Sequence, residues 1–347
     1  MATSCEEGNL ASKPESLTTF DPGDHGVSRV LTFLSMHIAQ RAFHALIPML
    51  LGLATGMADP VRQQDIGASS PWAAHVDLAK VNDSPISSLL FEIAGFDRIM
   101  QLQKVLKEKL AIDVKAAEGV TLFGSGENSQ ETAVIVRGKF ESLDLSGLSS
   151  APGGTYRGVQ LHEGPQWQAD ALFLASPSAS ELVAGTSLPA VREALDVLTG
   201  RQKSWQGVSL AEHAKKELNS ASALLALDMK RIGGKLQFES DITRSIRRAW
   251  FLIGSRDDQV EAAVLIDSAD AAGLAYLQAQ LQFLTVMLKS QEGVPPAWIE
   301  LMSALRVEIK DHWMTVKVGA PRKKAAELLR SLGPLFQTET KQTTPAE

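Results

Sequence analysis

One cysteine, Cys5, stands among 347 residues, so the chain can close no disulfide on itself. The histidines beyond residue 58 are His75, His162, His213 and His312, widely spaced and without a second cysteine or a close histidine to complete a zinc pattern. No metal and no cofactor is therefore expected. Charge of neither sign dominates: 34 Lys and Arg stand against 40 Asp and Glu, a net charge of −6. A nucleic-acid binder needs a concentrated basic face, so nucleic acid is not an expected partner.

The motifs of common catalysts are missing too. There is no Gly-x-Ser-x-Gly elbow, no Walker loop, no His-Glu-x-x-His and no Gly-x-Gly-x-x-Gly opening a helix. Gly124-Ser125-Gly126 is the nearest approach to a phosphate loop, but it lies between two strands, where a helix N-terminus is needed. Its glycines read as turn residues. No catalytic residue is assigned.

Long apolar runs are equally scarce. Ala42 to Ala58 carries no Asp, Glu, Lys or Arg, and His37 and Arg41 precede it. It is shorter than the roughly 20 residues of a membrane span and contains His44 and Pro48. The layout is that of a secretory signal: a cationic start, an apolar stretch and small residues at the cut. Residues 36–58 are thus expected to be a signal peptide cleaved near Ala58, with translation starting near Met36 and residues 1–35 a polar head outside the folded protein. The product would be exported, to the periplasm or beyond, and not integral to the membrane. Were the segment a buried helix instead, the protein would be cytoplasmic.

What the sequence does contain is a repeat. Thr121 to Val136 aligns without a gap on Phe251 to Ile266, with six identities that include Leu122/Leu252, Gly124/Gly254 and Ala133/Ala263. Before each segment stands a strand-like run closed by an acid and a base: His75 to Val81, with Asp77 and Lys80, and Ala226 to Ile232, with Asp228 and Lys230. After each come short alternating runs, Arg157 to Leu161 and Arg306 to Ile309. Each copy then ends on a proline at a helix start, Pro189 or Pro321, and a glycine at its end, Gly200 or Gly333. The order strand, helix, strand, strand, helix, strand, strand, helix predicts an α+β fold. Its expected form is two tandem copies of a split β-α-β, ferredoxin-like unit, antiparallel sheets with helices on one face. The units span 70–200 and 223–333, with a helical connector at 201–222 opened by the Ser209/Glu212 capping box and a disordered tail at 334–347.

The copies differ. Unit one carries extra residues ahead of its hairpin, with Phe96, Ile99, Leu102, Leu106 and Leu110 at helical spacing; unit two has Leu274, Leu277, Leu281, Leu284 and Leu288, expected to pack on the sheet.

Two groups merit a place as candidate sites. Arg322, Lys323 and Lys324 crowd the first turn of the last helix, where an anion would be attracted. Arg244, Arg247 and Arg248 lie ahead of the second hairpin; brought together, the two groups would form an anionic-ligand site. Trp167 and Trp205, in polar surroundings, are candidate ligand platforms, while Trp250 and Trp313 fit the core. Asp77/Lys80, Asp228/Lys230 and Asp311-His312 read as strand-end and turn charges. The functional expectation is a non-catalytic binding or structural module of the bacterial envelope, its partner a small anionic ligand or an envelope protein. The alternative is a periplasmic hydrolase with acidic residues in the cleft between the units.

Overall fold

The computed structural model describes residues 65–82, 107, 116–125, 131–140, 143–164, 171–205, 217, 221–232, 245–256, 258–291, 294 and 296–328. The signal-like segment, the polar head, the inserted apolar helix of unit one, Trp167, Arg244 and the tail lie outside them.

The protein mixes α and β structure: one large antiparallel sheet with a few helices. Its strands are β1 (Trp72–Asp77), β2 (Ala117–Ser125), β3 (Glu131–Gly138), β4 (Ser149–Tyr156), β5 (Val159–Glu163), β6 (Phe173–Ser178), β7 (Glu181–Gly185), β8 (Ala221–Asp228), β9 (Ile246–Arg256), β10 (Gln259–Ser268), β11 (Arg306–Lys310) and β12 (Trp313–Pro321). The helices are α1 (Leu78–Asn82), α2 (Leu188–Leu198), α3 (Met229–Ile232), α4 (Ala271–Ser290) and α5 (Pro296–Ala304), followed by a closing helical stretch at 322–328.

The sheet order is β11-β12-β10-β9-β8-β1-β2-β3-β7-β6-β5-β4. From the central pair outward, one arm runs β1, β2, β3, β7, β6 and the other β8, β9, β10, β12, β11. The pairing pivots on Ala74 opposite Leu225: Trp72 faces Leu227 and Val76 faces Ala223. Central position explains composition here. All six residues of β1 are buried, which suits a strand flanked on both edges and covered on both faces.

The matching hairpins are not superimposable residue for residue. Ala133 and Ala263, and Ile135 and Leu265, keep the spacing of the sequence match and are buried in both arms. Across from them, however, Phe123 faces Ala133 while Leu252 faces Ala263. Leu252 thus stands where Phe123 stands, and Leu122 points to the opposite face. The cause is loop parity: Ser125 pairs with Glu131 around five residues, Arg256 with Gln259 around two, and a one-residue slip turns every side chain over.

Gly124 lies inside β2 opposite Thr132 and not in the expected turn. A Cβ on it would sit 2.5 Å from Trp72 Nε1. The glycine is there to let the indole lie on the strand.

The connection after the first hairpin also departs from the expected helix. Between β3 and β6 the described residues form the β4–β5 hairpin, not a helix; its two-residue turn, Arg157-Gly158, has φ 51° and 84°. Thus β6, not the Arg157 to Leu161 run, takes the place that β11 holds in the other arm.

Local signals explain the helix ends. Ser187 caps α2, its hydroxyl accepting from the Ala190 N–H at 3.2 Å. Pro189 lies in the first turn, and Gly200, with φ 68°, donates to the Val197 carbonyl beyond the last. Asp77 Oδ1 accepts from the Lys80 N–H at 3.0 Å, and Asp228 Oδ1 from the N–H groups of Lys230 and Arg231 at 3.1 and 3.3 Å. The mirrored acids are helix caps.

One core cluster gathers Phe123, Ala133, Ile135, Val183, Leu195 and their neighbours under α2; another holds Leu224, Trp250, Leu252, Leu265 and Trp313. In the second, the Trp250 and Trp313 rings stack at a tilt, centroids 5.2 Å apart. Trp205 packs against both clusters.

Candidate interaction helix

The expected anionic site does not assemble. Arg247 stands at the start of β9, where it holds Asp267 (Nε to Oδ1 3.0 Å) and the Ser268 carbonyl (3.0 Å). Arg248 is opposite Asp228 and Asp267 in the ladder. Arg322 follows β12 at its far end, its backbone N–H donating to the Asp258 carbonyl at 3.2 Å. Eight residue steps along β12 separate the two ends, about 26 Å at the rise of a strand. Lys324 is paired with Glu300 of α5, and Lys323 is exposed.

Trp205 is not a platform. Its indole N–H donates to the Ser70 carbonyl at 3.2 Å, and its backbone N–H to Ile66 at 2.8 Å. It staples the residues ahead of β1 to both cores. Its polar neighbours in sequence misled because its partners lie more than 130 residues away.

Asp311 has φ 55° at the β11–β12 turn, which fits the turn reading. His312 Nε2 stands 3.8 Å from Asp267 Oδ1, in a group that Arg247 already occupies. His75 is buried in β1 and shares a 2.9 Å hydrogen bond with Thr121. Among the described residues no three of His, Cys, Asp and Glu converge as a metal site. Titration is perturbed elsewhere: the Ser146 hydroxyl and N–H hold the exposed Asp144 carboxyl below its usual range.

The feature without a structural explanation is α4. Asp270 caps it, accepting from the Ala272 N–H at 2.9 Å, and Leu274 begins the leucine stripe fully buried. Leu277, Leu281, Leu284 and Leu288 follow on the same side but are only half-buried. A second apolar stripe, Tyr276, Phe283, Val286 and Met287, is 53, 59, 65 and 44% exposed. At 3.6 residues per turn the two stripes lie about 140° apart. Lys289 is the one charged residue among the 20 of this helix, which by length and composition alone is long and apolar enough to cross a membrane. Exposed large apolar side chains gathered on one helix face mark a contact surface more often than scattered ones do.

No family model and no curated protein matches the chain. Among solved structures it is similar to crystal forms III, I and IV of a protein designated TP0453. For form III the identity is 11% and the TM-score 0.45, over 79% of this chain and 98% of that one. Form I gives 11% and 0.42, over 80% and 99%. Form IV gives 10% and 0.46, over 78% and 96%.

The chain continues from α4 through α5, which packs against it and against β12. Leu301 of α5 meets Ala320, Ala325 and Ala326, so the basic turn of residues 322–324 stands beside α5. Periodicity had exposed the leucine stripe. The second stripe was equally present in the sequence, but its meaning depends on finding no strand or helix above it among the described residues.

Proposed function

We propose that this is an exported, non-catalytic binding module of the bacterial envelope whose docking element is the α4–α5 pair. One observation carries the reading: a 20-residue helix with a single charge that presents four large apolar side chains to solvent. Covering them would remove apolar surface from water, worth roughly 25 cal/mol per Å² before the costs of association. Export rests on the layout of residues 36–58, with the mature chain beginning near Asp59.

We also read the fold as two tandem copies of a split β-α-β unit joined back to back through β1 and β8. Support comes from the mirrored strand order, the pivot at Ala74/Leu225 and the paired caps Asp77 and Asp228. The hydrolase alternative needs a cleft at that junction. There the described residues form a continuous hydrogen-bonded ladder from β2 through β1 and β8 to β9.

The test is a polarity-sensitive dye on a Met287→Cys variant of the full chain, with Cys5→Ser removing the only other thiol. Emission is expected to shift to the blue when envelope material is added. An unchanged spectrum with both soluble and membrane fractions refutes the docking role. For export, the amino terminus of the protein recovered from the envelope should lie near Asp59; a chain that keeps residues 36–58 contradicts it.

A further inference from the structure

We infer that two copies of this chain pair through the outer edge of β11, antiparallel and slipped by two residues, with a twofold axis at Ile309. The site is separate from α4 and does not depend on the binding role proposed there.

The sheet ends in β4 on one side and β11 on the other, and the two edges are unlike. In β4 the ladder shifts register between Ser150 and Thr155, Gly154 has φ 52° and Pro152 has no N–H to offer. Bulges and prolines of this kind close an edge to a further strand. By contrast, β11 pairs with β12 without a shift from Arg306 to Lys310. Only the turn Asp311-His312 separates Lys310 from Trp313, so these two exchange both backbone bonds, and the alternation of an antiparallel ladder turns Glu308 and Arg306 inward in the same way. The N–H and C=O groups of Val307 and Ile309 therefore point outward, and among the described residues no backbone group answers them. One open edge and one closed edge allow a pair but not a filament.

Side chains set the partner and the register. Arg306, Glu308 and Lys310 are exposed along one face of β11, and the ion pairs among the described residues take up none of them. Full antiparallel overlap of two β11 strands would set Glu308 against Glu308 and Arg306 against Lys310, like charges directly opposite, which destabilise a sheet. A slip of two residues toward the turn keeps every side chain on its own face. It sets each Glu308 opposite the second copy's Lys310, two ion pairs in all, and joins the outward groups of the two Ile309 residues across the axis. The opposite slip, about Val307, sets Lys310 against Ala304, the last residue of α5, where the chain is helical and has no extended edge to give. The order base-x-acid-x-base is thus complementary to itself in one register. Few residues are opposed, so the pair buries far less than the roughly 1,200 Å² of a stable interface and forms only at high concentration.

Sedimentation velocity of the full chain, from about 10 µM to about 1 mM to cover weak interfaces, is expected to show a monomer–dimer equilibrium. Glu308→Lys should weaken it about tenfold, and adding Lys310→Glu should restore the parent affinity, because each ion pair is then merely reversed. Ile309→Pro removes the central outward N–H and no bond to β12, so it should abolish the dimer with the fold retained by circular dichroism; should that variant not fold, the charge reversal and its rescue decide. Cross-linking reads the register. With Cys5→Ser, Ile309→Cys should form a disulfide on oxidation, since the Cα atoms of a hydrogen-bonded pair lie about 5.5 Å apart. Val307→Cys should not, being displaced about 13 Å along the strand from its counterpart. A chain that stays monomeric throughout overturns the proposal. So does a dimer that Glu308→Lys leaves unchanged or the double change fails to restore, and so does a cross-link at position 307 instead of 309. None of these outcomes bears on α4, which the dye at position 287 tests separately.

Discussion

Helices α2 and α4 occupy the two arms of one sheet, and they are built on different plans. The shorter, α2, has 11 residues, and buries Ala190, Val191, Ala194, Leu195 and Val197 on one face while its acids and bases meet water or partners on the other. The longer, α4, is nearly uncharged, yet only Gly273 and Leu274 are buried. A helix that holds a core spends its apolar residues inward; one that keeps a second apolar stripe outward is held ready for something else. The difference teaches that length and apolarity alone do not identify the helix that stabilises a fold.

Truncation sharpens this most. Leu195→Ala should cost roughly 2–5 kcal/mol, as large-to-small changes in a filled core do, whereas Leu284→Ala should cost under about 1 kcal/mol. Urea unfolding of the two variants checks it, and equal costs would erase the contrast. Next comes the glycine under Trp72: Gly124→Ala should destabilise by about 1–3 kcal/mol through overpacking, and less in a Trp72→Leu background, in a double-mutant cycle. If Gly124 served a turn, the second change would make no difference.

The mirrored caps offer a smaller test between the arms. Asp77 is buried and also 3.2 Å from Lys80 Nζ, while Asp228 is more exposed. Asp77→Ala should therefore lose about 1–2 kcal/mol and Asp228→Ala about 0.5–1 kcal/mol, read from thermal melts. Phe283→Ser and Val286→Ser should each stay within about 0.5 kcal/mol of the parent, since those side chains rest on solvent. The smallest effect is at Asp144. Its carboxyl is depressed by Ser146, so the contribution is present above the unfolded carboxylate range and fades as pH falls through the folded value. In a Ser146→Ala variant the Asp144 side-chain resonance should titrate at higher pH.

Much of this was legible in the sequence, and the boundary is physical. Pro189 and Gly200 mark α2 because such end signals are local, a matter of backbone groups within one turn. Asp77 and Asp228 were visible as a mirrored pair, although their capping role required the helices to be seen. The slip between Leu122 and Leu252 was hidden because residue identity does not record loop parity, and parity decides the face. Gly124 and Trp205 were misread for another reason: the indole beside one and the carbonyl bonded to the other come from strands and segments far away along the chain. The hairpin in place of a helix after β3 could not be distinguished by period in so polar a stretch. As for the basic groups, their types were plain but not the length of β12 between them.

Hydrogen exchange on α2 and α4 within the same molecule, with and without envelope material, tests the account most directly. In the free chain α2 amides should be protected nearly to the global unfolding limit and those of Tyr276 to Met287 far less; envelope material should then raise α4 protection at least tenfold and leave α2 unchanged. Equal protection of both helices in the free chain, with no response of α4 to envelope material, would contradict it.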